Sequence, residues 1–175
     1  MYEYAPVGIR KTQSTVYLSL GSNLGDRIQH LLDAQNELKK EVGEISAISQ
    51  IFENPPCGFD AEQDFLNMCV KLSTDHSPFD LLKAVKRIEK QLGRLETAQK
   101  GYSSRCIDID IILCGNTVLH SEKLTIPHPH FRKRMFVLKP LKDIAFNEID
   151  PETMLTIEQL FNNCGDQSTM RVYNH

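Results

Sequence analysis

Apolar and polar residues alternate along this chain at either the two-residue spacing of a strand or the 3.6-residue spacing of a helix. The segments predicted in this way are a strand over 16–20, a helix over 28–42, strands over 45–53 and 65–73, a helix over 77–92 and a strand over 105–113. Asn23 is a candidate N-cap for the first helix, and Ser77 before Pro78 is typical of the start of the second. Gly43 and Gly93 predict where these helices end.

The resulting β-α-β-β-α-β order predicts a ferredoxin-like α+β fold, in which an antiparallel sheet carries its helices on one face. Beyond it we predict a C-terminal extension with a short strand near 116–119 and helices around 137–144 and 155–163. These helices are expected to cover a sheet edge or to wall a cleft. The predicted organisation is therefore a polar leader over 1–14, a single domain over 15–165 and a tail over 166–175.

The strand over 105–113 carries two acidic residues on one side. Apolar residues occupy every second position from Ile107 to Leu113, so Asp108 and Asp110 point together to the opposite face. At about 5 Å and an effective dielectric of about 20, their repulsion is about 3 kcal/mol. A hard cation such as Mg²⁺ would relieve it, since Mg²⁺ is usually held by one or two carboxylates and by substrate phosphates. The alternative is an edge strand whose outer face is solvated.

Phe65 and Asn67 lie on the side of their strand that is opposite its apolar residues. If the helices cover only one face of the sheet, these two side chains share the other face with Asp108 and Asp110. This shared placement favours a ligand site on the sheet. The competing interpretation of Phe65 is an ordinary core aromatic.

The overall composition excludes some classes of protein. The 175 residues carry a net charge of −3, with 41% hydrophobic and 25% charged residues, so we expect no nucleic-acid partner. Seven basic and four acidic residues nevertheless lie between Arg94 and Arg134. Cations around a carboxylate pair suggest a polyphosphate ligand, and the alternative is a solvated basic loop.

Other signals bear on location and on the kind of nucleotide site. The five cysteines form no Cys-x-x-Cys pair, and we expect reduced thiols in a cytoplasmic protein. Neither a signal peptide nor a long apolar run is apparent, so no membrane partner is expected, and we expect a monomer. Because the glycine-rich P-loop with its lysine is missing from the sequence, phosphoryl chemistry would have to rely on carboxylates, metal and arginines.

Seven short motifs occur in order over about 16–145 and together resemble the 6-hydroxymethyl-7,8-dihydropterin pyrophosphokinase family of folate biosynthesis. The motifs are Leu20-Gly-Ser-Asn-Leu24, Asn54-Pro-Pro-Cys-Gly58, Asp64-Phe-Leu-Asn67, Arg87-Ile-Glu89 with Gly93-Arg94, Arg105-x-x-Asp-Ile-Asp110, Leu124-Thr-Ile-Pro-His128 and Arg134-x-Phe136. Each is weak alone, and their joint order is specific. The resemblance implies transfer of diphosphate from ATP to the hydroxymethyl group of the pterin, with release of AMP.

The resemblance also implies roles for individual residues. Asp108 and Asp110 would hold two Mg²⁺ ions, and the catalytic cations would be Arg94, Arg105 and Arg134. The pterin would be bound by Asn54, Pro55, Cys57, Phe65, Asn67 and Phe136, with the two aromatic rings on either side of it. ATP would be contacted by Glu89, Arg94, Arg105, Ile111, Thr125 and His128. Without the resemblance, these residues have other interpretations: Phe136 could be a core aromatic, Glu89 could lie at the edge of the core on its helix, and His128 could be a surface residue in a turn.

The sequence departs from the family pattern around the loop that is expected to close over the site. Glu96 stands where a second loop arginine is common, and Tyr102-Ser-Ser104 replaces a frequent Trp-Gly-Pro, with Gly101 and Ser103 at positions of the signature. Pro129 and Met135 replace a common Tyr and Gly, and Lys100 could supply the missing loop charge. These departures leave a non-catalytic ATP- or pterin-binding homologue as the alternative to an active enzyme. Because the predicted fold also hosts RNA readers, an RNA-binding module is a further alternative, which the acidic pair disfavours since it would repel phosphate without a metal.

Overall fold

The chain forms both strands and helices, with several strands in succession between the helices. The computed structural model describes residues 13–56, 61–94 and 104–174. Its elements are β1 (Ser14–Ser22), α1 (Arg27–Glu41), β2 (Glu44–Ile48), β3 (Phe52–Asn54), β4 (Phe65–Thr74), α2 (Pro78–Gln91), β5 (Asp108–Cys114), β6 (Leu119–His120), β7 (Thr125–Ile126), a 3-10 helix (Phe131–Lys133), α3 (Met135–Ala145), α4 (Ile157–Asn162) and β8 (Arg171–Val172). Within the described ranges, no helix is long and apolar enough to cross a membrane.

The main sheet is antiparallel and has the strand order β5-β1-β4-β3-β8, with β2 also paired to β4. The prediction of a mixed helix and antiparallel-sheet fold is therefore confirmed. Long apolar residues from α1, α2 and one face of the sheet form the first core. This face receives the alternate residues of β1, namely Val16, Leu18 and Leu20.

The predicted strand over 45–53 is divided into β2 and β3. Ile48 is paired with Val70 and Phe52 with Asn67, so three residues on one side face two on the other. Ser49 occupies this bulge, where its hydroxyl accepts a hydrogen bond from the backbone N–H of Cys69 at 2.9 Å. An extra residue explains the irregular apolar spacing of this segment.

The apolar alternation predicted to run from Ile107 to Leu113 is broken in β5, because a bulge shifts its register. Leu18 is paired with Ile111 but Tyr17 with Leu113, which leaves Ile112 as the additional residue. Ile109 and Ile111 lie in the first core, whereas Leu113 lies in the second. The prediction that Leu113 shares a face with the isoleucines was therefore wrong.

The second face of the sheet has two different ends. At the closed end, Tyr17, Cys69, Ile112 and Leu113 pack against apolar residues of α3 and α4. At the open end, Gly21 lies between Asn67 on β4 and Asp108 on β5, and Asp110 follows on the same strand. The extension after β5 thus covers part of the face that the helices α1 and α2 leave uncovered. Asn67, Asp108 and Asp110, the polar residues predicted to form a ligand site, lie on the part of this face that stays uncovered.

Candidate functional site

Backbone close approach at Gly21 creates the centre of the open end. A Cβ atom added at this position would lie 2.9 Å from Oδ1 of Asn67. Because glycine has no side chain, the Asn67 amide can lie across β1, beside β5. This strand carries Asp108 and Asp110 and is called the acidic strand below. The sequence contains this glycine in a turn-like motif, and its role appears only when β1, β4 and β5 are placed together.

Two amides form a polar wall on one side of Gly21. Nδ2 of Asn67 donates to Oδ1 of Asn54 at 2.7 Å, and Nδ2 of Asn54 donates to the carbonyl of Pro55 at 2.9 Å. Both asparagines are nearly inaccessible to solvent. Such a fixed amide pair presents hydrogen-bonding groups at a defined orientation, as recognition of a flat heterocycle requires. Cys57 lies outside the described residues.

The two aromatic residues predicted to bind the pterin lie on different elements, and Phe136 also packs against the second core. Phe65 is paired with Asn54 at the start of β4, and Phe136 lies in the first turn of α3. Both are partly exposed, in contrast to the fully buried Phe131. The guanidinium of Arg134 lies 5.6 Å from the centroid of the Phe136 ring. This places Arg134 and Phe136 together at the N-terminus of α3.

Two arginines contact Asp108. Nη1 of Arg94 lies 2.6 Å from Oδ1, and Nη1 of Arg105 lies 2.6 Å from Oδ2. Burial by itself raises the pKa of Asp108, but the two guanidinium groups outweigh it and lower the pKa below its ordinary value. Asp108 is therefore ionised and neutralised at neutral pH. The fold thus brings together Arg94 and Arg105, predicted as catalytic cations, and Asp108, predicted as a metal ligand.

Glu89 lies beneath this cluster and is almost completely buried, with 2% of its surface exposed. Its Oε1 accepts a hydrogen bond from the backbone N–H of Ile109 at 2.7 Å, and it forms ion pairs with Lys86 and Arg94. Burial is the largest influence on its pKa, which is raised despite the nearby ammonium of Lys86. These contacts join α2 to β5 and orient Arg94. Glu89 therefore faces protein groups in this structure.

Asp110 has a different environment from Asp108. Among the described residues none donates a hydrogen bond to it, and its nearest basic group is Nε2 of His128 at 3.9 Å. Burial and the neighbouring Arg134 lower the pKa of His128 to about 4, so this imidazole is neutral at pH 7 and forms no ion pair. Burial and the charge of Asp108 raise the pKa of Asp110. The charges of Lys86, Arg134 and Arg105 oppose this rise only in part.

The environment of Asp110 fits a cation that brings further ligands with it. In the described part of the chain, no group of three or more His, Cys, Asp or Glu side chains is arranged to hold a metal. Two carboxylates alone suit Mg²⁺, which retains water and takes phosphate oxygens as further ligands. These two carboxylates have the donor chemistry that Mg²⁺ prefers, and Mg²⁺ binding here stays a prediction.

A cleft of about 210 Å³ opens beside Asp110. Its lining includes three residues predicted to contact ATP, Ile111, Thr125 and His128. Leu82 on α2 and Leu124 before β7 add an apolar wall that sequence reasoning did not single out. The cleft thus combines aliphatic surface for a flat base with Lys86, Lys123 and the acidic strand at its polar side.

Asn23 is a site residue whose role the sequence did not reveal. It was predicted to cap α1, but Asp26 provides that cap by accepting a hydrogen bond from the backbone N–H of Gln29 at 3.0 Å. Asn23 instead accepts a hydrogen bond from the backbone N–H of Arg105 at 2.8 Å, and its own N–H donates to the Arg105 carbonyl at 3.1 Å. It therefore fixes the backbone of Arg105. The departures at Glu96, Lys100 and 101–103 lie outside the described residues.

Comparison with known families identifies the chain. The family model for 7,8-dihydro-6-hydroxymethylpterin-pyrophosphokinase (HPPK) matches residues 17–146, which include every predicted site residue. The chain belongs to the HPPK family. The curated relatives include a 2-amino-4-hydroxy-6-hydroxymethyldihydropteridine pyrophosphokinase of Aquifex aeolicus, 43% identical over 79% of this chain and 84% of the relative. The corresponding protein of Bacillus subtilis is 38% identical over 74% of this chain and 77% of the relative.

Other proteins that match this chain are much longer than it. The folic acid synthesis protein fol1 of Pneumocystis carinii is 41% identical over 86% of this chain, which spans only 20% of that protein's length. A solved structure of Plasmodium falciparum HPPK-DHPS matches 89% of this chain and 45% of its own length, with a TM-score of 0.71 and 16% sequence identity. This structural likeness independently supports the α+β fold of the HPPK chain.

Proposed function

We propose that this HPPK chain transfers a diphosphate group from ATP to 6-hydroxymethyl-7,8-dihydropterin in folate biosynthesis. The hydroxymethyl oxygen forms a bond to the β-phosphorus of ATP, the bond from that phosphorus to the α,β-bridging oxygen breaks, and AMP leaves. The hydroxyl proton is released. The observation that carries the proposal is the open end of the sheet, where a fixed amide pair and an acidic strand lie on either side of Gly21.

The two substrates would bind in neighbouring regions, each formed by its own set of residues. Asn54, Pro55, Asn67, Phe65 and Phe136 would bind the pterin, together with Cys57. The cleft beside Asp110 would take ATP, with its base against the aliphatic wall. The pterin hydroxymethyl group would then lie next to the acidic strand, where the phosphates are expected. Holding both reactants in this order lowers the entropic part of the barrier.

Asp108 and Asp110 would hold Mg²⁺, which when bound would supply positive charge to the phosphate oxygens. Arg94 and Arg105 are paired with Asp108 in this structure, so their guanidinium groups lie close to the proposed phosphate position. We propose that they exchange this carboxylate for phosphate oxygens when ATP binds, with Arg134 assisting from the α3 side. Charge-assisted contacts of this kind stabilise the transition state when they strengthen as charge develops.

We also propose that the ferredoxin-like description applies to the sheet. The position of β1 between β5 and β4, antiparallel to both, supports it, as does the placement of α1 and α2 on one face.

Product analysis tests the proposed reaction. The protein is incubated with ATP and Mg²⁺, with and without 6-hydroxymethyl-7,8-dihydropterin, and AMP and ADP are separated. We expect AMP that depends on the pterin, together with a pterin diphosphate. Formation of ADP, or release of AMP that does not depend on the pterin, would contradict diphosphate transfer. Binding of both ligands without any product would favour the non-catalytic alternative.

A further inference from the structure

The segment 163–174, here called the brace, follows the part of the chain that matches the HPPK family. It contacts two separate elements of the proposed pterin site. At one end, Oδ2 of Asp166 accepts a hydrogen bond from the backbone N–H of Met135 at 2.8 Å. Met135 is the first residue of α3, and its N-cap residue, Arg134, makes no side-chain capping bond. Asp166, from a distant part of the chain, therefore provides the hydrogen-bond acceptor for a backbone N–H at the N-terminus of α3.

At its other end the brace extends the main sheet. Strand β8 pairs antiparallel with β3, with Val172 opposite Phe52 and Arg171 opposite Glu53. The backbone N–H of Tyr173 donates to the carbonyl of Ile51 at 2.8 Å. These contacts hold the strand that ends at Asn54. The brace thus reaches from α3 to the strand that carries Asn54 of the amide pair.

Side chains strengthen this second attachment. Glu53 is buried and lies between two arginines, Arg27 of α1 and Arg171 of the brace, at 2.8 Å from each. Nη1 of Arg27 also donates to the carbonyl of Asp64, the residue before Phe65, at 2.6 Å. Nζ of Lys139 on α3 lies 5.1 Å from the centroid of the Phe52 ring and donates to the carbonyl of Met170 at 3.4 Å. The brace, α3 and β3 are therefore tied together.

The elements joined by the brace carry residues that we propose to bind the pterin. Phe136 follows Met135 in α3, whereas Asn54 and Phe65 lie on β3 and β4. A shift of α3 relative to β3 would change the distance between Phe136 and the residues on β3 and β4. The cleft beside Asp110, where we propose that ATP binds, has no lining residue from the brace, α3 or β3. We propose that the brace sets the distance between Phe136 and the pterin-binding residues on β3 and β4, and that Asp166 is a positioning residue for the pterin. This inference rests on the proposed function.

The test compares equilibrium binding of 6-hydroxymethyl-7,8-dihydropterin and of ATP by calorimetry. Asp166→Ala removes the acceptor for Met135, and Asp166→Asn keeps one. Ser77→Ala is the matched control, because Ser77 caps α2 through its hydroxyl and lies outside the brace. Arg171→Ala loosens the other attachment and is a second variant that should fold, since 71% of its side chain is exposed.

We expect Asp166→Ala and Arg171→Ala to weaken pterin binding about fivefold, which corresponds to about 1 kcal/mol, and to change ATP affinity less than twofold. Asp166→Asn should bind the pterin more tightly than Asp166→Ala, and Ser77→Ala should resemble the wild type. Unchanged pterin affinity in both Asp166→Ala and Arg171→Ala, or an equal loss for ATP and pterin, would overturn the brace proposal. A wild-type protein that binds pterin but forms no AMP would overturn the catalytic function alone, and one that binds no pterin would overturn both.

Discussion

The closed and open ends of the same sheet face differ in what lies against them. At the closed end, Leu113 and Tyr17 pack against helices and are almost fully buried. At the open end, Asp110 forms no close contact with a charged basic group of the described residues, and Asn67 lies close to a glycine. The closed end supplies packing energy, and the open end retains polar groups that are unfavourable without a ligand. Stability and the proposed activity should therefore respond to different substitutions.

The largest expected effect on activity is at Asp110. Asp110→Asn keeps the shape of the side chain and removes the charge that would hold Mg²⁺, so kcat should fall about 1000-fold. Steady-state AMP formation measures this. Asp75→Asn, an exposed residue between β4 and α2, is the matched control and should keep full activity. Loss of less than tenfold for Asp110→Asn would contradict the assignment.

Asp110→Asn should also raise the melting temperature at neutral pH. Because the pKa of Asp110 is raised in the folded protein, ionisation destabilises the fold as the pH rises through that pKa. Below the ordinary pKa of an aspartate, Asp110 is protonated in both the folded and the unfolded wild-type protein. The destabilisation by its ionisation then disappears. The stability advantage of the variant should therefore be present at pH 7 and vanish near pH 3. An advantage that does not depend on pH would exclude this cause.

The closed end should show the opposite pattern. Leu141 on α3 is fully buried in the second core, and Leu141→Ala should reduce the free energy of unfolding by about 3 kcal/mol. Urea unfolding measures this change, with Leu32→Ala, 45% exposed on α1, as the control. The kcat of the folded fraction should change less than threefold. A large loss of kcat at unchanged stability would show that the two ends are not separate.

A smaller effect is expected where the backbone comes close to Asn67. In Gly21→Ala the added methyl group would force Oδ1 of Asn67 to move, because only 2.9 Å separates it from the new carbon. We expect pterin affinity to fall about tenfold, or about 1.4 kcal/mol, which is within the cost of about 1–3 kcal/mol that overpacking typically has. Calorimetric titration with the pterin measures it. Unchanged affinity would mean that the Asn67 amide does not contact the pterin.

The smallest expected effect concerns His128 and acid. The pKa of this imidazole is about 4 in the folded protein, below the ordinary value of 6.5, so the unfolded chain takes up its proton first as the pH falls. Stability should therefore decline between pH 6.5 and pH 4, by about 1–2 kcal/mol at pH 5. Urea unfolding of His128→Asn should lack this part of the decline. Identical pH profiles of the variant and the wild type would exclude it.

Sequence reasoning found the parts of this arrangement that depend on local spacing. Two-residue alternation placed Asp108 and Asp110 on one face, and the Ser77-Pro78 signal located the start of α2. The bulge that moves Leu113 to the closed end is invisible in the pattern, because Ile112 is as apolar as its neighbours. The role of Asn23 depends on a contact with Arg105, 82 residues away, which no local signal encodes. The roles of individual site residues remain predictions.

The account depends most directly on whether the carboxylate of Asp110 at the open end serves to recruit a cation with ATP. Calorimetric titration of ATP into the wild-type protein and into Asp110→Asn, each with and without Mg²⁺, tests this. We predict that Mg²⁺ strengthens ATP binding at least tenfold in the wild type and less than twofold in the variant. Equal enhancement by Mg²⁺ in both proteins would contradict the account and would place the cation away from Asp110.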